Sequence, residues 1–379
     1  MTIVAGGKQA SLGEAKRNKN NEFYTRLEDI EREAQHYAHH FRGKTVFLNC
    51  DDPYESDFFK YFAMSFNHLG LKKLIAVSYA GSPIVGTTLP LFEIAGLEGA
   101  PPPKEPYKVE ITAVPDLNGD GAIDLVDVEE LLRSDANTIS MLDGDGSFAS
   151  AESIALLNDS DIVVTNPPFS HFTEFLDLLI RHEKQFLILG NMNAVTYKEV
   201  WPLVQSGRVW LGVTRTGSGQ MWFRVPDDAP ERQGQRIENG VRYQTVGNSA
   251  WFTNLDHSRR HEEIPLFRKY GDNPANYPTY ENYDAIEVHK VVDVPVDYDG
   301  VMGVPITFLG RHNPDQFEIV GTTESNDPDN AFRTRVYSST ECRDAYQRRF
   351  GKSGVYDLNA AGVVDGVKVF KRILIRRKT

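Results

Sequence analysis

Asp161-Ile-Val-Val-Thr165, running directly into Asn166-Pro167-Pro168-Phe169, decides how this sequence is read. The first five residues form a short apolar, β-branched run, the pattern of a buried strand. Two successive prolines then fix φ and withhold two backbone donors, so the strand ends in a stiff turn. The same punctuation recurs on either side. Upstream, Arg26–Phe41 reads as a helix with acidic residues early and basic ones late. Lys44–Asn49 reads as a strand, and Asp52 before Pro53 as the cap of a helix reaching about His68, ended by Leu69-Gly70. Lys73–Ser78 is a second strand, and Ile154–Leu157 a short helix before the quoted run. Downstream come a helix over Phe172–His182 and strands over Gln185–Leu189 and Val209–Val213. Strands alternating with helices predict an α/β fold with a largely parallel sheet covered on both faces. Ligands in such sheets bind at the carboxyl ends of the strands, here Asn49–Pro53, Asn166–Phe169 and Asn191–Asn193.

Past about Arg215 the texture changes. Strand-like pieces rich in aromatics, glycine and proline appear at Met221–Val225, Ser249–Thr253 and Gly303–Leu309, and Cys342–Phe350 is the one clear helix. A second, mixed α/β or β-rich domain follows from that shift, with Val369–Arg377 as a terminal strand carrying basic ends. Residues 1–19 lack apolar periodicity and read as a flexible arm, so the expected division is 1–19, 20–215 and 216–379. The chain of 379 residues has a net charge of −12, yet 331–379 holds 12 basic against 4 acidic side chains, and 101–165 holds 14 acidic against 3 basic. A basic face for phosphates can therefore coexist with an acidic total. No run of 18 apolar residues occurs, which excludes a membrane-spanning helix. Two cysteines, Cys50 and Cys342, are too few for a disulfide framework or a thiolate zinc site. Without a leader-like apolar stretch before Lys19, a cytoplasmic setting with no membrane partner is expected.

The Asn-Pro-Pro-Phe turn carries a chemistry of its own. An exocyclic amine is a poor nucleophile because its lone pair is delocalised into the ring. An Asn side-chain oxygen and a neighbouring carbonyl can each accept one amino N–H, which draws the nitrogen toward tetrahedral geometry and frees the lone pair. The prolines hold those acceptors in place beforehand, and Phe169 offers a face for a planar substrate. The proton leaves after the nitrogen has become cationic, so no strong base is required. Without that chemistry, the same four residues are a rigid strand-to-helix turn.

Read in order, Asn20-Asn-Glu-Phe-Tyr-Thr25, Asn49-Cys-Asp-Asp-Pro53, Asp116-Leu-Asn-Gly-Asp-Gly-Ala-Ile-Asp124, Gly144-Asp-Gly-Ser-Phe148, Thr165-Asn-Pro-Pro-Phe169, Ile188-Leu-Gly-Asn191, Gly303-Val-Pro-Ile-Thr-Phe-Leu309 and Asn313-Pro-Asp-Gln-Phe317 resemble the EcoRI-type adenine-specific DNA methyltransferases. The resemblance covers nearly the whole chain. It implies a Rossmann-like S-adenosylmethionine-dependent methyltransferase sheet with a C-terminal mixed α/β target-recognition region. The implied reaction methylates adenine N6 of double-stranded DNA on a flipped-out base. By the same resemblance, Phe23, Tyr24 and Thr25 line the methionine side of S-adenosylmethionine. Asn49, Asp51, Asp52 and Pro53 hold its amino-acid end, with Asp51 or Asp52 pairing the ammonium. Asp145 accepts from the cofactor's adenine amino group beside Phe148. Asn166 and the Pro167 carbonyl, stiffened by Pro168, grip N6 while Phe169 stacks on the base. A cognate restriction endonuclease acting on the same site, without stable association, is the implied partner.

The sequence departs from the general methyltransferase pattern in two places. Asn49–Pro53 replaces the usual Gly-x-Gly turn, and Ser78-Tyr79 ends the second strand without an acid, so no ribose ligand is assigned. Gly144-Asp145-Gly146 also reads as a plain turn. The stretch Asp116–Asp127 matches a twelve-residue calcium loop, with Asp116, Asn118, Asp120, the Ala122 carbonyl and Asp127 as ligands of an optional structural Ca2+. Its other reading is a solvated acidic turn. Candidate DNA contacts are Arg215, Arg224, Arg242, Arg259, Arg260, Lys371, Arg372, Arg376 and Arg377, each more often a phosphate contact or a surface charge than a base reader. His36, His39 and His40 lie on a polar helix and read as surface residues. Methylation of RNA or of a protein glutamine amide, and a catalytically inactive DNA-binding fold, remain the alternative functions.

Overall fold

The computed structural model describes residues 24–53, 56–78, 106–117, 119–134, 139–214, 221–225, 235–245, 247–324 and 330–378. The expected arm, Phe23, Asn118 and Arg215 lie outside them. Two compact units are present: Met1–Asn191 with Thr214–Leu255, and Met192–Val213 with Asp256–Thr379. The chain thus crosses between units more than once. The reason is strand pairing, since residues 222–253 return to complete sheets of the first unit.

In the first unit the elements are β1 (Tyr24–Thr25), α1 (Leu27–Ala34), β2 (Thr45–Leu48), α2 (Asp57–Met64), β3 (Lys73–Val77), β4 (Tyr107–Ile111), α3 (Leu125–Ser134), β5 (Ile139–Met141), α4 (Ala151–Asp159), β6 (Ile162–Thr165), α5 (Phe172–Arg181), β7 (Gln185–Asn191), β8 (Trp222–Arg224), β9 (Gln235–Glu238), β10 (Val241–Thr245) and β11 (Ser249–Thr253). The central sheet runs β5-β4-β3-β2-β6-β7-β11. Its middle, β3-β2-β6-β7, is parallel. β4, β5 and β11 join antiparallel, so the sheet is mixed where a largely parallel one was expected. Every residue of β2 and β6 is buried, as is Phe186–Gly190 of β7, which accounts for continuous apolar runs in place of alternation. A smaller antiparallel sheet, β1-β8-β10-β9, ties the N-terminal Tyr24–Thr25 to residues 222–245.

Three local expectations change. The helix expected over Arg26–Phe41 is broken, with a tighter turn at Gln35–Tyr37 before Ala38–Phe41. Asp52 does not cap α2; Ser56 does, its hydroxyl accepting from the Phe58 N–H at 3.1 Å. The run Val209–Val213 is strand only at Trp210–Leu211.

The second unit holds the sheet β12-β13-β15-β14, formed by β12 (Ile286–Glu287), β13 (Met302–Pro305), β14 (Phe317–Thr322) and β15 (Arg372–Arg377), together with α6 (Ser339–Phe350). Ser338 and Glu341 close a capping box at the start of α6, and Gly351 ends it at φ +65°. The strand expected over Gly303–Leu309 stops at Pro305, which brings no N–H to a ladder, and Ile306–Arg311 turns instead. At the centre of this unit Glu287, fully buried, meets the Arg372 guanidinium at 2.9 and 3.2 Å and the Tyr280 hydroxyl. Gly303 makes this possible, because a Cβ there would sit 2.1 Å from the Tyr280 oxygen. No helix among the described residues is long and apolar enough to cross a membrane.

Candidate active site

β2 and β6 are parallel neighbours with Phe47 opposite Val163, so their carboxyl ends open on one edge and release the loops 49–53 and 166–169 together. A single carboxylate ties the two loops. Asp51, 7% exposed, accepts the Thr165 hydroxyl at 2.5 Å, the Ser56 hydroxyl at 2.8 Å and the Asn166 backbone N–H. Burial pushes its carboxyl up to about 7, although all three hydrogen bonds pull the other way.

That shift has a sign. Between the ordinary carboxylate value and about 7, the folded chain keeps a proton that the unfolded chain has released. Stability therefore falls as pH rises through that window and levels off above it. Asp51→Asn removes this slope. Its melting temperature relative to the parent chain should grow from pH 4 to pH 7 and then stay constant. A difference independent of pH in paired thermal melts would refute the assignment.

Asn49, at the end of β2, is 2% exposed, and neither its amide nitrogen nor its oxygen has a hydrogen-bond partner among the described residues. The Thr25 hydroxyl is in the same position. An unmet buried polar group costs about 1–3 kcal/mol, so both side chains suit a polar ligand. Asp52 receives the Tyr107 hydroxyl at 3.2 Å, and Pro53 is buried beside it. Tyr24 and Thr25 pair with Arg224 and Phe223 of β8.

The catalytic candidates gather at the same edge. The Asn166 side-chain oxygen is buried, and Pro167 is buried next to it. Phe169 sets its ring edge-on to Phe223, with centroids 6.5 Å apart, so the small sheet carrying Thr25 reaches the Asn-Pro-Pro-Phe loop. Phe148 meets Phe175 at 5.2 Å and His171 at 6.2 Å, which places it beside the turn that follows Phe169. Asp145 is exposed and accepts the Ser147 N–H at 2.9 Å. The neighbouring Gly146 is required twice over, by φ +71° and by the Ser78 carbonyl, 2.2 Å from where a Cβ would be. This holds the 144–148 turn against the carboxyl end of β3.

Ser56, Tyr107 and Phe223 carry no site role in the sequence, and Thr165 stands there only as the last residue of the strand before the loop. Only Phe223 left a signal, the alternation of buried Met221, Phe223 and Val225 with outward Trp222 and Arg224.

The basic candidates scatter. Arg372, read as a DNA contact, is buried and spent on Glu287. Arg376 pairs with Glu318, and Arg377 and Arg259 bond the Val296 and Val213 carbonyls. Arg260 lies 3.7 Å from the Trp210 ring centroid. Arg224 is exposed, near the Tyr24 ring, and Arg242 is half-buried on β10. Lys371 pairs with Glu324 and borders a cleft of about 910 Å3 in the second unit. Tyr197, Lys198 and the 82% exposed Phe370 also line that cleft.

Backbone N–H groups organise the acidic loop around its carboxylates. Asp116 accepts the Gly119 and Gly121 N–H groups, and the buried Asp127 accepts those of Leu117 and Asp124. Asp120 accepts the Ala122 N–H at 2.8 Å. Among the described residues no group of His, Cys, Asp or Glu is arranged to hold a metal ion.

With this geometry in place, the sequence matches the family described as Adenine-specific methyltransferase EcoRI over residues 11–378. The chain belongs to this family. It is 46% identical to Type II methyltransferase M.EcoRI of Escherichia coli over 311 residues, covering 82% of this chain and 88% of that protein. Type II methyltransferase M.MpnI of Mycoplasma pneumoniae is 39% identical over 81% of this chain and 83% of its own. Type II methyltransferase M.MgeORF184P of Mycoplasma genitalium is 36% identical over 81% and 84%. No solved structure matches. The chain is thus an adenine-specific DNA methyltransferase of this family, and the family implies use of S-adenosylmethionine.

Proposed function

We propose that this chain transfers a methyl group to the N6 amine of an adenine turned out of duplex DNA into the edge formed by Asn49–Pro53, Asp145–Phe148 and Asn166–Phe169. The observation that carries the reading is the adjacency of the Asn166 loop to the unmet amide of Asn49. S-adenosylmethionine, when bound, supplies the electrophilic methyl. Asn49, Asp52 and Thr25 would hold its amino-acid end, and Asp145 and Phe148 its adenine. Asn166 Oδ1 and the Pro167 carbonyl each accept a hydrogen bond from the target N6 amine, which turns its lone pair toward the methyl group, and one proton leaves once the methylated nitrogen is cationic. Phe169, braced by Phe223, stacks on the displaced base. Turning the base out costs a few kcal/mol, which stacking and these hydrogen bonds offset.

The second unit, with Lys198, Lys371 and the exposed Tyr197 and Phe370, is proposed to take the duplex as the target-recognition region. The sheet β3-β2-β6-β7 with its helices is proposed to be Rossmann-like. An endonuclease reading the same site is proposed as a functional partner in the cell. The acidic loop enters only as structure. The loop N–H groups donated to Asp116 and Asp127 already offset part of the carboxylate charge, so the fold of the loop does not depend on a cation. Thermal melts with calcium and with EDTA should therefore agree, and a rise of several degrees with calcium would reverse that reading.

The test is transfer of label from methyl-labelled S-adenosylmethionine to duplex DNA, followed by digestion to nucleosides. Label in N6-methyldeoxyadenosine is expected. Label confined to RNA or protein would sink the proposal.

A further inference from the structure

We infer that Asp51 is a positioning residue for Asn166, and that the cofactor's ammonium falls to Asp52 and not to Asp51; the inference rests on the function proposed above. The two adjacent acids are alike in sequence and unlike in place. Asp51 has one oxygen on the Ser56 hydroxyl at 2.8 Å and the other on the Thr165 hydroxyl at 2.5 Å, and it also receives the Asn166 backbone N–H. Three donors from three segments meet on this one carboxylate: the cap of α2, the last residue of β6 and the first residue of the catalytic loop. A fourth donor, a ligand ammonium, would have to compete with them in a nearly closed space. Asp52 accepts the Tyr107 hydroxyl at 3.2 Å and, unlike Asp51, is only partly buried, which leaves it open to a ligand from the edge.

Asn166 follows two bonded positions, Thr165 in the strand and its own N–H, and both are fixed by Asp51. The side-chain oxygen that must meet the substrate amine therefore takes its origin from this carboxylate. Because Asp51 stands in the loop that also bears Asn49, the segment that would hold the cofactor and the segment that would hold the base share one anchor. A displacement of about 1 Å in such an arrangement can cost about a hundredfold in rate.

The test pairs two readouts on the full-length chain. Single-turnover methylation at saturating S-adenosylmethionine and DNA reads positioning, and calorimetric titration of S-adenosylmethionine alone reads the ammonium site. Asp51→Asn should slow the single turnover about tenfold to a hundredfold while the cofactor Kd stays within about threefold. Asp52→Asn should raise that Kd about tenfold or more. Thr165→Val should slow the turnover as Asp51→Asn does, and Thr165→Ser, which restores the hydroxyl, should recover it. Should Asp51→Asn fail to fold, the Thr165 pair still decides. Loss of cofactor binding in Asp51→Asn with an unchanged saturated rate would overturn the inference, and so would equal rates for Thr165→Val and Thr165→Ser. A parent chain that binds the cofactor but methylates no DNA would instead count against the proposed function.

Discussion

Asn166→Ala should lower the single-turnover rate of adenine methylation about a thousandfold while leaving the S-adenosylmethionine Kd within about threefold. The side-chain oxygen removed is one of the two acceptors proposed for the target amine, and losing one preorganised partner of a developing charge costs about a hundredfold to a thousandfold. The upper end is expected here because the buried carboxylate beside it, Asp51, is already filled by Thr165, Ser56 and the Asn166 backbone. That backbone N–H survives the substitution, so the loop should keep its place. Asn166→Asp retains an acceptor and should fall between the parent chain and the alanine variant. Stopped-quench kinetics beside calorimetry would check both. A variant that turns over at near the parent rate would remove Asn166 from the chemistry.

The second large effect concerns the second unit. Glu287→Ala should destabilise the protein by about 3–5 kcal/mol, the cost of leaving one partner of a buried ion pair alone. Arg372 would be left with its guanidinium buried, and the Tyr280 hydroxyl would lose its acceptor. Tyr280 cannot swing away easily, since Gly303 and Gly362 both press against its ring. Glu287→Gln, which keeps an acceptor, should cost less. Replacing Glu287 and Arg372 together by methionine should recover much of the loss, because the charge and its partner leave together. Chemical denaturation of the four chains would show this order, and equal stability of Glu287→Ala and the parent would contradict the assigned network.

Much of the first unit was legible because its strands are buried on both faces, and apolar runs such as Thr45–Leu48 and Ile162–Thr165 announce themselves. Tyr107–Ile111 and Ile139–Met141 were not read as strands, although the first alternates buried and half-buried residues in period two. They lie in the acidic stretch, where charged residues interrupt the apolar pattern. The Asn-Pro-Pro-Phe loop and its neighbours could be named from chemistry and resemblance, but their mutual arrangement could not. The bond from Thr165 to Asp51 spans 114 residues, and no local pattern encodes it. The basic residues were the least legible. Arg372 looks like a phosphate contact in sequence and is a buried partner of Glu287 in the fold, because a guanidinium serves both roles equally well.

The central claim is methylation of adenine in DNA by the edge that Asn166 occupies. It is tested most directly by expressing the chain in a methylation-free host and sequencing the host DNA at single-nucleotide resolution. N6-methyladenine at one defined motif, absent when Asn166→Ala is expressed instead, is the predicted result. Unmodified adenine throughout, with the protein folded and binding S-adenosylmethionine, would contradict it.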